Sequence, residues 1–202
     1  MTMPAVDSPA TDSTDPFRRR LLDGLAESIA ERGYRASTVA DIVRAAHTSK
    51  RTFYDHFASK EECLLELLRA DNEELALRIR ADVDPEADWQ VQIRQAVQAY
   101  VAQIRARPAI TLSWIRDMPS LGEVARPAQR RGLELMSNLL IELSGSPGFR
   151  RVNLPALSPP LAVILLGGLR ELTALAVEDG TDIGMITEPA VDAAIALLGP
   201  RG

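Results

Sequence analysis

Apolar residues in this chain recur at intervals of three and four almost from end to end, and nowhere do they alternate over a useful length. A spacing of three to four matches the α-helix and not the two-residue period of a strand, so the pattern predicts an all-α protein. Phe17, Leu21, Leu25 and Ile29 mark the first helix, opened by Asp15-Pro16 and closed by Arg32-Gly33. Thr38 with Asp41 forms a capping box for a second, short helix that ends near Ala46. Ser49 caps a third that ends at Phe57-Ala58, and Ser59-Lys60-Glu61-Glu62 starts a longer fourth that stops before Asp84-Pro85.

Proline sets the punctuation beyond that point. One helix is predicted from Trp89 through Ile104, a short one from Pro108 through Met118, and a longer one from about Gly122 to Leu143. "SGSPGFRRVNLPALSPP" reads as a loop. Helices over 160–178 and about 188–198 complete the count of about nine, with no internal repeat. The expected organisation is a disordered lead-in over 1–14, a helix-turn-helix head over 15–74 whose fourth helix links onward, and a helical body over 75–202.

Net charge is −5 over 202 residues, which taken alone argues against a polyanion partner. Its distribution argues the other way, because residues 17–60 hold nine Lys/Arg against five Asp/Glu, whereas residues 61–202 hold fourteen against twenty. A basic head on an acidic, solubilising body is the pattern of a nucleic-acid-binding module. The first sixteen residues are acidic and small where a secretory signal would be basic and then apolar, and the most apolar stretch, "LAVILLGGL", is short and runs into Arg170 and Glu171. A cytoplasmic protein without a membrane partner is expected. Cys63 is the only cysteine, and both histidines, His47 and His56, fall in the head. The body therefore lacks a histidine base or ligand, no glycine-rich phosphate loop is present, and no catalytic residue, metal or cofactor is expected.

The segment "AAHTSKRTFYDHF", residues 45–57, carries the most information. Phe53 and Phe57 sit four apart, as on a buried face, while Lys50, Arg51, Thr52, Tyr54 and His56 crowd the rest. Two short helices joined by about three residues, the second basic and aromatic, form a helix-turn-helix whose second helix enters the major groove. Lys50 and Arg51 are placed to reach guanine or phosphate, Tyr54 to reach a phosphate, and Thr38 and Lys60 sit at helix starts that favour anions. Asp55 shares the helix and reads as solvated. Arg18-Arg19-Arg20 reads equally as a solvated face and as an arm tracking phosphates.

From these residues the chain resembles the TetR-type transcriptional regulators. The likeness lies in "GYRASTVADIVRAAHTSKRTFYDHFASKEECLLELL", residues 33–68, and is architectural beyond. It implies DNA contacts at Thr38, Ser49, Lys50, Arg51, Thr52, Tyr54, His56 and Lys60. It also implies a homodimer on a palindromic double-stranded operator, and a small-molecule effector held in the body. Two positions depart from the family's pattern: His47 stands where glycine is common in the turn, and Arg51 where glycine is frequent.

Trp89, Tyr100, Trp114, Met118 and Met136 are the candidate ligand-binding residues, by size and flexibility, although each taken singly reads first as core. Arg116 and Asp117 read as ligand-orienting or solvent-facing. The apolar residues of 160–178 cover too wide an arc for a helix with one exposed side, and Gly167-Gly168 permits close approach. With 188–198 that helix is expected to form half of a four-helix dimer bundle. The favoured function is a ligand-released repressor. A constitutive or activating regulator, and a helical small-molecule carrier or interaction protein, are the alternatives.

Overall fold

The computed structural model describes residues 15–199, so the expectation of a disordered lead-in over 1–14 falls outside the described residues. Among the described residues the elements are helices: α1 (Pro16–Arg32), α2 (Val39–Ala45), α3 (Lys50–His56), α4 (Lys60–Asp82), α5 (Trp89–Ala106), α6 (Pro108–Leu112), α7 (Met118–Ser120), α8 (Arg126–Ser144), α9 (Pro147–Arg150), α10 (Pro159–Glu178) and α11 (Thr187–Leu198). A π-helical turn, Ser113–Asp117, joins α6 to α7, and 3-10 turns precede α8 and α11.

The head folds from its caps. Asp15 accepts from the Phe17 amide, and Pro16 sits in the first turn, where its missing N–H costs nothing. Thr38 and Asp41 satisfy one another's backbone amides at the start of α2. Ser49 accepts from the Thr52 amide at 3.1 Å. The start of α4 departs from the expected box: Ser59 accepts from Glu62, but the Glu62 carboxylate reaches past Ser59 to the Ala58 amide at 2.6 Å.

Leu21, Leu25, Ile29, Ile42, Phe53, Phe57 and Leu64 form a core that excludes water, and Ile110, Met118 and Ala125 from the body join it. The expected boundary at residue 74 falls within α4, whose first half packs into this core through Cys63, Leu64, Leu67 and Leu68. Its second half, Ala76 and Ile79, packs on Met136 and Leu139 of α8. One rigid helix thus belongs to both regions. A third cluster joins α5, α10 and α11 around Trp89, Val97, Phe149 and Val191.

Three expectations on the body are corrected. The 144–160 segment is not all loop, since Pro147–Arg150 forms α9, with Phe149 buried against Trp89. The helix begun by Pro108 runs past Met118 to Ser120 through the π turn, and the next starts at Arg126 because Gly122 adopts φ 64°. α10 packs on α8 and α11 lies on α5, with Ala176 of α10 and Val191 of α11 in the same apolar cluster. Finally, α10 is twenty residues long with a mean hydropathy of 1.7 over its best window, long and apolar enough to cross a membrane by length and composition alone. Within it, Glu171 pairs with Arg116 and Arg170 donates to the Ile115 carbonyl.

Candidate nucleic-acid interface and body cavity

α2 ends in a Schellman arrangement: the Thr48 amide donates to the Val43 carbonyl and the His47 amide to the Arg44 carbonyl. The residue between must be left-handed, and His47 takes φ 48° there. A non-glycine residue bears a cost of about 1 kcal/mol in that conformation. The turn then swings α3 across α1 and α2. Phe53 and Phe57 are buried to 0% and 1% exposure, so the opposite face of α3 is fixed outward. Lys50, Arg51 and Asp55 are exposed on it, and Tyr54 is 58% exposed with its ring edge-on to Phe53 at 5.3 Å.

The other expected DNA-contact residues are less free. Thr52 is half-buried and its hydroxyl is 2.9 Å from that of Ser49, itself exposed. Thr38 is exposed, with its hydroxyl donating to Asp41 at 2.6 Å. That bond, first among several, pulls the Asp41 carboxyl down to about 2. His56 is half-buried, turned toward the start of α1: Nδ1 lies 3.2 Å from an Asp15 carboxylate oxygen and the ring stacks on Phe17. Lys60 donates to the Tyr34 and Ser37 carbonyls at 3.2 and 2.8 Å and lies over the Tyr34 ring. It braces the loop before α2 while sitting at the start of α4.

The three arginines of α1 separate. Arg18 forms a two-pronged bond to Glu66, donates to the His56 carbonyl at 2.9 Å and lies over Phe57, which ties α1, α3 and α4 together. It therefore braces the fold and is neither a solvated face nor a phosphate arm. Arg18 shares the helical phase of Leu21 and Leu25, and that signal was available in the sequence. Arg19 and Arg20 are exposed, Arg20 over the Phe17 ring. Cys63 is fully buried, and burial pushes its thiol well above the ordinary value.

Below the head the body holds a half-open cavity of about 510 Å³. Tyr100, Trp114, Met118 and Met136 line it as expected, whereas Trp89 lies apart from its walls, packed on Phe149. Sequence reasoning missed its polar floor. Asp71 on α4 accepts from Arg107 at 3.0 Å and from Gln103 at 3.4 Å, and burial raises its carboxyl above the ordinary range. The Tyr100 hydroxyl bonds to that of Thr173 at 2.9 Å, and burial pushes its phenol up to about 12. Arg116 and Asp117 do not line the cavity. Arg116 pairs with Glu171 and Glu178 of α10, and Asp117 pairs with Arg35 of the head at 3.2 Å.

Leu68 of α4 and Met118 at the end of the π turn touch both the head core and the cavity, each 1% exposed. A molecule in the cavity would meet the two elements that carry the head.

The outward basic helix, its buried aromatic brace and the shared α4 define a helix-turn-helix head mounted on a helical, cavity-bearing body. Residues 21–67 match the family model for bacterial regulatory proteins of the tetR family. The chain is 46% identical over 71 residues to the HTH-type transcriptional repressor KstR2 of Mycobacterium tuberculosis, covering 35% of this chain and 36% of that protein. It is 33% identical over 86 residues to the HTH-type transcriptional activator FasR of Mycolicibacterium smegmatis, covering 43% and 39% respectively. The matched sequence thus spans about a third of the length of these relatives. In fold the likeness is wider. The transcriptional regulator FadR of Bacillus subtilis, solved in complex with stearoyl-CoA, superposes with a TM-score of 0.76 at 18% identity, covering 91% of this chain and 99% of that one. Residues 21–67 thus carry the sequence pattern of the tetR family of bacterial regulatory proteins, and the chain as a whole carries the fold shared with FadR.

Proposed function

We propose that the protein is a cytoplasmic, sequence-specific DNA-binding transcriptional regulator: a homodimeric repressor that leaves a palindromic operator when a small molecule fills the body cavity. One observation carries this reading: α3 turns Lys50, Arg51 and Tyr54 to solvent while Phe53 and Phe57 lock its back to α1 and α2. A helix held this way fits the major groove, where an arginine recognises guanine O6 and N7 and a tyrosine hydroxyl reaches phosphate. Thr38, Ser49, Thr52, His56 and Lys60 frame that face, and their roles as contacts are part of the proposal.

A single head on a half-site has limited affinity, and the exposed apolar stripe Ile164, Gly168 and Leu175 on α10 supplies a two-fold contact surface. Two-fold symmetry would set the recognition helices about 34–36 Å apart, one turn of DNA. Ligand response follows from α4 and the π turn, which join cavity to head. An effector releases DNA only if it binds better to a protomer geometry that mis-spaces the heads. The stearoyl-CoA bound by FadR supports a body that receives a ligand.

The head resembles both a repressor and an activator, so the activating alternative is supported by the FasR match. Fluorescence anisotropy of the full-length protein on duplexes from its own upstream region, against scrambled duplexes at moderate salt, tests the reading. Equal binding to both would sink sequence-specific regulation.

A further inference from the structure

The cavity has a direction. Its deep walls are apolar side chains such as Leu68, Leu75, Ile104, Ile115 and Met136, with the Asp71 carboxylate at its floor already bonded to Arg107 and Gln103. Its exposed lining lies between α8 and α10, where Leu133 and Val163 are 43% and 44% exposed. Two arginines stand there, Arg130 on α8 and Arg170 on α10. Among the described residues neither forms an ion pair; the neighbouring Arg116 takes Glu171 and Glu178, and Arg126 takes Glu123. Arg170 makes only a bond of 3.3 Å to the Ile115 carbonyl within the π turn.

From these features we infer that the cavity accepts an amphipathic anion tail-first, its apolar chain along the deep walls and its acidic head between Arg130 and Arg170. This deepens, and rests on, the reading of the body as a ligand sensor. An anionic head at the floor would find its one guanidinium, Arg107, already held by Asp71, while at the mouth it meets two guanidinium groups that form no ion pair among the described residues and suit bidentate carboxylate or phosphate recognition. A cationic head would meet the like charge of Arg130 and Arg170 at the mouth and an Asp71 already paired with Arg107 at the floor. Engaging Arg170 would also draw it from the Ile115 carbonyl, two residues from the Asp117 that pairs with Arg35 of the head.

Titration of the full-length protein without DNA, read by tryptophan fluorescence, tests this. Trp114 lines the cavity and Trp89 does not, so Trp114→Phe identifies the signal. The probes are dodecanoate, dodecanoyl-coenzyme A, dodecanol and dodecylammonium, each below its aggregation concentration. At least one anion is expected to bind about tenfold or more tightly than dodecanol, the two anion arms separating a carboxylate head from a phosphate-bearing one. The Arg130→Gln/Arg170→Gln double variant should bring the anions to the dodecanol level and leave dodecanol unchanged. Dodecanol matching both anions, a preference for dodecylammonium, or binding of none of the four overturns the inference. So does an equal loss of dodecanol and anions in the double variant, because the arginines would then hold the cavity's shape and not a head group. With no DNA present, failure here is separate from failure of the duplex-binding test.

Discussion

Gly24 sits in the middle of α1, and helix propensity alone says that alanine there should stabilise the protein by about 1 kcal/mol. The packing says the reverse. A methyl carbon added at Gly24 would lie 2.7 Å from the Ile42 carbonyl oxygen, 3.0 Å from the Ala46 amide nitrogen and 3.2 Å from the Ala46 Cβ. Two of these neighbours are backbone of α2 and its cap, which cannot rotate aside, so α2 must shift as a unit. Overpacking of this kind costs about 1–3 kcal/mol, and with rigid neighbours the upper part of that range applies. Subtracting the propensity gain leaves Gly24→Ala destabilising by about 1–2 kcal/mol. Ala30→Gly on the exposed side of the same helix calibrates the propensity effect, with an expected loss of about 1 kcal/mol. Urea unfolding followed by circular dichroism measures both. Because α2 carries the turn into α3, Gly24→Ala should also weaken duplex binding beyond its effect on stability. If Gly24→Ala instead gains what Ala30→Gly loses, α1 and α2 are not in the contact described, and the brace behind the recognition helix fails with it.

Tyr54→Phe should weaken cognate and scrambled duplexes alike, whereas Arg51→Ala should change the order of preference among sequences; equal losses for Arg51→Ala on both duplexes would make it a phosphate contact. Lys60→Ala should weaken all duplexes and lower the unfolding midpoint, since the ammonium also holds the Tyr34 and Ser37 carbonyls; an unchanged midpoint would separate it from the brace. The Asp41 carboxyl is held at about 2, below its ordinary 3.8, so the stability it lends α2 is present above that ordinary value and is lost as pH falls toward 2. Asp41→Asn should therefore flatten the acid-unfolding curve in that window, and an unaltered slope would remove the box from the acid response. Nothing in the protomer lies within 4 Å of a carbon added at Gly168, so Gly168→Trp should leave thermal unfolding of the protomer intact and shift the sedimenting species to monomer; a persisting dimer would place the interface elsewhere.

The head was legible because its instructions are local. A cap speaks to a backbone amide two or three residues on, and Phe53 and Phe57 reveal a buried face by their spacing alone. The left-handed turn at His47 came only from the family resemblance, which implies a glycine there, and His47 adopts that conformation. The cavity was half legible: Tyr100, Trp114, Met118 and Met136 converge on it, but nothing in their spacing separated them from Trp89, which has the same chemistry and a different neighbour in Phe149.

What the chain's order of residues determined, then, is the set of helices and which face of each is apolar, since these follow from interactions within one or two helical turns. Folding decided the partners of the charged side chains. Arg18 meets Glu66 across 48 positions, Arg107 meets Asp71 across 36, and Arg35 meets Asp117 across 82, pairings that no periodicity encodes. It also decided that α10 would pack on α8 while α11 lay on α5, and that α4 and the π turn would each touch head and cavity at once. The reason is that each apolar stripe requires only some complementary surface; which surface it receives depends on loop lengths and on the shapes of all the other helices together.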